Sequence, residues 1–275
     1  LAGCDENWVQ NLANLLAGNN WSDNLKSIVK KLANGERLSI SDGHVLYSHQ
    51  NLHEIGQLAN MVKLARFGKN VFFNSNVHIN QTNICVLACK FCAFRRSKKQ
   101  SDAYELSIDD YLGEMEKYSD VIDEVHSVGG LHPDWDIDFY EDLISAAKNK
   151  YPNISIKALT AVEIKHLSNQ SNTSFAETLS RLKKAGLDSL PGGGAEILND
   201  RVREIICNGK ESSAEYLEIH RMAHSLGIPS NSTMLFGTIE NIEDRLNHMD
   251  KLRKLADEYG FCLLYTSDAA DEWIG

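Results

Sequence analysis

Three cysteines carry the chemistry that is easiest to read in this sequence. Cys85, Cys89 and Cys92 stand in Ile84-Cys85-Val86-Leu87-Ala88-Cys89-Lys90-Phe91-Cys92, a C-x3-C-x2-C run. Thiolates are soft metal ligands, and three this close in sequence can close round one metal centre. A structural zinc site takes four ligands, so His78 or a distant cysteine would have to complete it. A 4Fe–4S cluster takes one cysteine for each iron. Three cysteines on such a cluster leave one iron open to another ligand. The spacing favours the open cluster, because zinc motifs usually come as paired C-x2-C units. The other cysteines, Cys4, Cys207 and Cys262, are scattered singly, which suits a reduced compartment better than a disulfide scaffold.

The rest of the composition bounds the setting. The chain has 275 residues, 43% apolar and 24% charged, enough for one large domain with a full core. Its net charge of −10 repels phosphate backbones, so no nucleic-acid partner is expected. No apolar run approaches the roughly 20 residues of a membrane span, so no membrane partner is expected either. Leu1-Ala2-Gly3-Cys4 looks like a lipoprotein cleavage site, but no charged or apolar stretch precedes it, and it is read as coincidence. The expected location is cytoplasmic.

These cysteines need elements to position them. Residues 1–70 read as helical: Leu25, Ile28, Val29 and Leu32 recur at helical spacing, and Asn51 to Phe67 carries a second stripe. This segment is expected as an N-terminal helical cap. From about residue 71 strands and helices alternate. Val77 to Asn83 reads as a strand feeding the cysteine loop. A helix follows, capped by Ser107 with Asp110 three residues on. Then come a strand over 122–128 ending in Gly129-Gly130, a helix over 136–150 and a strand over 154–159. Residues 161–182 read as one helix with a polar interruption at 169–172. A short strand at Asp188-Ser189-Leu190 precedes Pro191-Gly192-Gly193-Gly194. A helix over 213–226, a strand over 230–236, a helix over 242–259 and a strand from Phe261 complete the pattern. Such alternation implies βαβ units and an α/β fold with a parallel sheet, a barrel or partial barrel with its active site at the C-terminal strand ends. The cysteine loop, Gly129-Gly130, Thr160, Gly192 to Gly194 and Gly237 all fall at such ends.

Lys157 is the unusual strand residue. Parallel strands are buried on both faces, so a lysine there must be paired or face a polar cavity. It reads either as an internal ion pair with Glu163 or Glu196, or as a carboxylate-binding group at the barrel mouth. His126 and His132 flank the Gly-Gly edge. Each reads first as a satisfied structural residue and second as a substrate contact. Arg95, Arg96, Lys98 and Lys99 read as a solvated basic loop.

The cysteine spacing, with an aromatic residue before the third cysteine, resembles the signature of the radical S-adenosylmethionine (SAM) enzymes. The resemblance implies a 4Fe–4S cluster on Cys85, Cys89 and Cys92 whose open iron binds SAM. It implies a truncated TIM-type radical SAM (β/α) barrel over 71–261, and SAM contacts from Phe91, Gly129, Gly130, Thr160, Glu163, Glu196 and Gly237. Gly129-Gly130-Leu131-His132-Pro133-Asp134, Ile156 to Ile164 and Ala185 to Ile197 further resemble the aminofutalosine synthases of menaquinone biosynthesis. That family adds the 5′-deoxyadenosyl radical to 3-(1-carboxyvinyloxy)benzoate and forms 6-amino-6-deoxyfutalosine. The implied partners are a carboxylate-bearing small molecule, gripped by Lys157 as the catalytic candidate, and an electron donor such as flavodoxin or ferredoxin. Two sister families share the frame, the cyclic dehypoxanthine futalosine synthases and the tyrosine-dependent FO synthase subunit. Lys157, Thr160, Ala161, Val162 and the triple glycine favour the first family. The resemblance stops near Gly260-Phe261. Residues 262–275 resemble translated adapter read-through and are expected to be a non-native tail on a truncated chain.

Overall fold

The computed structural model describes residues 4–259 and the backbone of 262–264. The chain divides into two compact units, with the boundary between Phe73 and Asn74, three residues beyond the expected one.

The first unit is helical. It holds α1 (Trp8–Leu16), α2 (Lys26–Ala33), α3 (Ile40–Ser48) and α4 (Leu52–Phe67). Leu12, Leu16, Leu25, Ile28 and Leu58 are buried together, which gathers the apolar stripes of three helices into one core. Ser39 starts α3 with a reciprocal cap to Asp42, and the Asn51 side chain accepts from Glu54 N at the start of α4.

The second unit alternates strand and helix. Its elements are β1 (Asn76–His78), α5 (Ile108–Glu116), β2 (Glu124–Ser127), α6 (Ile137–Lys150), β3 (Ser155–Ala158), α7 (Ala161–Gln170), α8 (Phe175–Ala185), α9 (Asp200–Ile206), α10 (Ser213–Ser225), β4 (Ser230–Ser232), α11 (Ile242–Tyr259) and β5 (Cys262–Leu264). Among the described residues every pairing of these strands is parallel. β1, β2 and β3 lie side by side in that order, and β4 pairs with β5. The expected strand at 188–190 appears as two single parallel bridges, Lys157 to Ser189 and Leu190 to Ser230, which stitch the two sheets together. The sheet thus runs in chain order, as a β/α barrel requires.

Alternation decides which side chains face the helices. Val125, Ser127, Ile156 and Ala158 are buried, and the apolar three join Leu143, Ile144, Ile164, Leu179 and Leu182 in the main core. Glu124, His126, Ser155 and Lys157 take the opposite face.

Several elements differ from the sequence expectation. The polar interruption breaks the expected 161–182 helix outright, with Ser171 ending α7 and Ser174 capping α8. β1 stops at His78; beyond it the Gln81 side chain bonds Tyr140, Glu163 and Ser127, and the Thr82 and Asn83 side chains donate to Tyr104 O and Asp102 O. Helix α9 was not expected. The backbone of 262–264 pairs with β4 where a sixth strand belongs; residues 265–275, the rest of the expected tail, lie outside the described residues, as does Phe261.

Candidate functional site

The cysteine loop is held by its flanks. Cys85 N donates to Arg96 O (3.0 Å), and Arg96 N donates to Asn83 O (2.7 Å). Val86 N donates to Leu131 O (3.0 Å), and Gly130 N donates to Thr82 O (2.8 Å). Asn83 clamps a neighbouring segment: its Nδ2 donates to Asp102 O, and its Oδ1 accepts from Tyr104 N. On the far side Lys90 N donates to Ile206 O at the end of α9 (2.8 Å). Arg96 is part of this frame and not simply solvated, since Nη1 donates to Ala93 O and Nε to Asp102.

Gly130 shows how close this packing is. A Cβ there would stand 2.1 Å from Ile84 O and 3.0 Å from the Cys85 Cβ. Gly130 is therefore bare because the chain's own cysteine loop lies against it, and Gly129 because the Gln81 side chain does, 2.5 Å from where a Cβ would stand.

Beneath the edge lies a buried polar network. Glu163 is 2% exposed. Its Oε1 accepts from Gly129 N (3.0 Å) and Gln81 Nε2 (3.3 Å), and its Oε2 accepts from Thr160 N (2.7 Å) and Thr160 Oγ1 (2.8 Å). Burial pushes its carboxyl up, and these hydrogen bonds oppose the shift. Glu163 and Thr160 thus sit together, with Glu163 turned inward to hold Gly129.

A second group lies on the other side of the loop. Cys89 and Phe91 pack on Ile197, Val202, Ile206, Cys207 and Met234. Lys210 lies over the Phe91 ring at 5.4 Å and forms a buried pair with Glu196 at 2.5 Å. Glu196 takes a left-handed backbone, φ 45°, just after the triple glycine. Arg203, 4% exposed, donates to Gly194 O, Ala195 O and Glu211 and ties this turn to α9. Gly237 falls further out, in an exposed turn at φ 88° whose N–H donates to Glu240.

Lys157 has neither expected partner. Its Nζ lies 3.9 Å from Glu124 Oε1, because β2 puts Glu124 on the same face while Glu163 turns to Gly129 and Glu196 to Lys210. Both ring nitrogens of His132 have partners within the chain: Asp134 N donates to its Nδ1, so Nε2 carries the proton and donates to Glu105 at 2.7 Å. His78, which, failing a distant cysteine, would have had to complete a zinc site, lies in β1 against His126. Among the described residues no three His, Cys, Asp or Glu side chains close on a single-ion site.

The donor set suits a cluster. Each of the three thiols is partly exposed. Burial pushes the Cys89 thiol up; Lys210 opposes this, and Glu196, Cys92 and Cys85 add to it. Cys89 thus lies within electrostatic reach of the other two sulfurs, and a cationic iron core would turn that repulsion into ligation.

The sequence pattern of the Radical SAM superfamily matches residues 79–252. The chain is 44% identical to the aminodeoxyfutalosine synthase of Thermus thermophilus, over 85% of this chain and 63% of that protein. It is 40% identical to the 5-amino-6-(D-ribitylamino)uracil–L-tyrosine 4-hydroxyphenyl transferase 2 of Methanosarcina barkeri, over 76% of this chain and 54% of that one. The chain spans about three-fifths of the length of the first of these curated relatives. Its fold matches the crystallised FeFe-hydrogenase maturase HydG of Carboxydothermus hydrogenoformans with a TM-score of 0.70 at 20% identity, over 94% of this chain and 60% of that one. No described helix is long and apolar enough to cross a membrane.

Proposed function

The chain belongs to the radical SAM superfamily, and on that premise we propose that its protein is an aminofutalosine synthase of menaquinone biosynthesis. Membership implies a 4Fe–4S cluster and SAM, which when bound supply the 5′-deoxyadenosyl radical. The proposed reaction joins that radical, left when SAM releases methionine, to the terminal enolpyruvyl carbon of 3-(1-carboxyvinyloxy)benzoate; rearrangement, loss of one carboxyl group as CO2 and return of the one electron that cleaved SAM would give 6-amino-6-deoxyfutalosine.

The chain's own residues bind, orient and exclude. Cys85, Cys89 and Cys92 would hold three irons. The Gly129-Gly130 edge, with Phe91, Thr160, Glu163, Glu196 and Gly237 around it, would form the SAM site. In that site Glu163 acts through Gly129 by fixing the direction of its backbone. Lys157 would grip a substrate carboxylate on the sheet face turned from the helices. Holding alkene and radical in line, away from water and other hydrogen donors, is the protein's share of catalysis. The proposed setting is cytoplasmic, with a flavodoxin or ferredoxin as electron donor.

The likeness to the Thermus thermophilus enzyme carries the reading, supported by Lys157, Thr160 and the triple glycine at the strand ends. The likeness to the tyrosine-dependent transferase supports a second one, in a sister family. The test uses the intact gene product, reconstituted without oxygen. It should contain iron and sulfide and give a reduced-cluster EPR signal that SAM perturbs. Stoichiometric zinc with no such signal would exclude the cluster. With SAM, reductant and 3-(1-carboxyvinyloxy)benzoate it should form 6-amino-6-deoxyfutalosine. Turnover only with a dehypoxanthine futalosine, or only with tyrosine and 5-amino-6-(D-ribitylamino)uracil, moves it to a sister family.

A further inference from the structure

Three adjacent strands each turn one nitrogen-bearing side chain to the same face. The register pairs His78 with His126 and His126 with Lys157. Their neighbours Val125 and Ile156 point the other way, into the helix-packed core. Strands about 4.8 Å apart make this row about 10 Å across. The two imidazole rings meet edge to face, with centroids 4.3 Å apart at 61°. Among the described residues no hydrogen bond reaches either ring. Behind the row, Glu124 Oε1 is buried without a hydrogen bond from any described residue, 3.9 Å from the ammonium of Lys157.

Structure alone rarely needs such a row. Two imidazoles and a lysine on a sheet face repel one another when charged, and an apolar triplet would pack better. Burial, with His78 and Lys157 beside it, lowers His126 to about 3. It is therefore neutral near pH 7, where it offers an N–H donor and not a second positive charge. One ammonium beside a neutral N–H donor matches a planar monoanion better than a dianionic phosphate.

We propose that His78, His126 and Lys157 form one carboxylate-binding row for the aromatic acid substrate. This rests on the functional reading above for the identity of the acid, and goes beyond it in assigning the two histidines.

The test separates the two claims. The probes are benzene-1,3-dicarboxylate, which has no alkene to react, and 3-(1-carboxyvinyloxy)benzoate. Both are offered to the intact, cluster-loaded protein with SAM. His78→Leu, His126→Leu and Lys157→Met should each weaken dicarboxylate binding about 10- to 100-fold in calorimetry, the effect of losing a hydrogen bond to a charged group. They should raise KM for the reactive acid in parallel. SAM affinity and iron content should stay at wild-type levels. His126→Gln and Lys157→Arg keep a donor and should recover most of the loss, which a merely structural role would not allow. His78 is exposed, so His78→Leu tests the row even if a change at His126 impairs folding. Wild-type binding in the Leu and Met variants, no binding of the dicarboxylate by the wild type, or a loss that Gln and Arg do not rescue overturns the row. Turnover of the reactive acid with KM unmoved by all three changes overturns the row and leaves the functional reading standing. Row-dependent dicarboxylate binding without turnover does the reverse.

Discussion

Gly130→Ala isolates the contact between the Gly-Gly edge and the cysteine loop. The added Cβ would lie 2.1 Å from Ile84 O. A carbon–oxygen contact settles no closer than about 3.3 Å, so the loop must retreat by roughly 1.2 Å. That movement stretches Cys85 N to Arg96 O and Val86 N to Leu131 O, both 3.0 Å now, beyond hydrogen-bonding range. Overpacking costs about 1–3 kcal/mol and each lost backbone bond about 1 kcal/mol, giving about 3–5 kcal/mol. At about 2–4 °C for each kcal/mol in a protein of this size, melting should fall by about 6–20 °C. Cys85 moves with Ile84, so iron and sulfide after anaerobic reconstitution should fall as well. The control is Gly113→Ala in α5, where a Cβ meets nothing within 4 Å. Helix propensity there should raise stability by about 0.5–1 kcal/mol. Should Gly130→Ala melt and load iron like the wild type, the tight contact described here is wrong.

The polar network and the buried histidines give two further expectations. Glu163→Gln keeps one acceptor oxygen and sets an amide against the other pair of donors, Gly129 N with Gln81 or the two of Thr160. About 2–4 kcal/mol should be lost. SAM binding, read by calorimetry on cluster-loaded protein, should weaken at least tenfold while iron content holds; unchanged SAM affinity would show that Glu163 does not position the edge. His248 is fully buried, accepts from Leu198 N at Nδ1 and donates to Thr233 O from Nε2. Burial lowers it to about 4. Its folded value lies below its unfolded one of 6.5, so its share of stability is present above pH 6.5 and lost as pH falls toward 4. His248→Gln should remove about 2 kcal/mol of the stability that the wild type loses between pH 7 and pH 5, at about 1.4 kcal/mol per unit. Parallel urea midpoints for the two proteins across that range would contradict the assignment.

Much of the frame was legible because local rules and packing agree. Ser107 caps α5 through Asp110, Asp136 caps α6, and α11 covers the expected 242–259. Strand lengths were less legible. The pattern from Val77 to Asn83 alternates like a strand, but past Ile79 the polar side chains bond other segments, Asn80 to Val128, Gln81 to Glu163, Thr82 to Tyr104 and Asn83 to Asp102, and no spacing rule foretells that. Helix α9 was hidden by its seven residues, too few for periodicity; its one signal was Asn199, whose side chain accepts from Arg201 N. The Lys210–Glu196 pair and Arg203 were missed because a buried lysine or arginine reads like a surface one until its partners are in place. The three cysteines could be read directly because one loop of eight residues holds them all.

The order in which the cysteine loop gains its supports has a consequence for synthesis. Its bonds to Arg96, Gly130 and Leu131 all lie within residues 82–131, whereas its bond to Ile206 waits for 75 residues more, 206 less 131. At about 5–20 residues per second, a ribosome needs about 4–15 s to make that stretch. During this interval the emerging chain carries its thiols on a partly braced loop, before the surface under Cys89 and Phe91 exists. A thiol-rich segment in that condition is open to oxidation and to stray metal ions. The length of this window is set by the distance along the chain between the two halves of the cradle, and not by the stability of either.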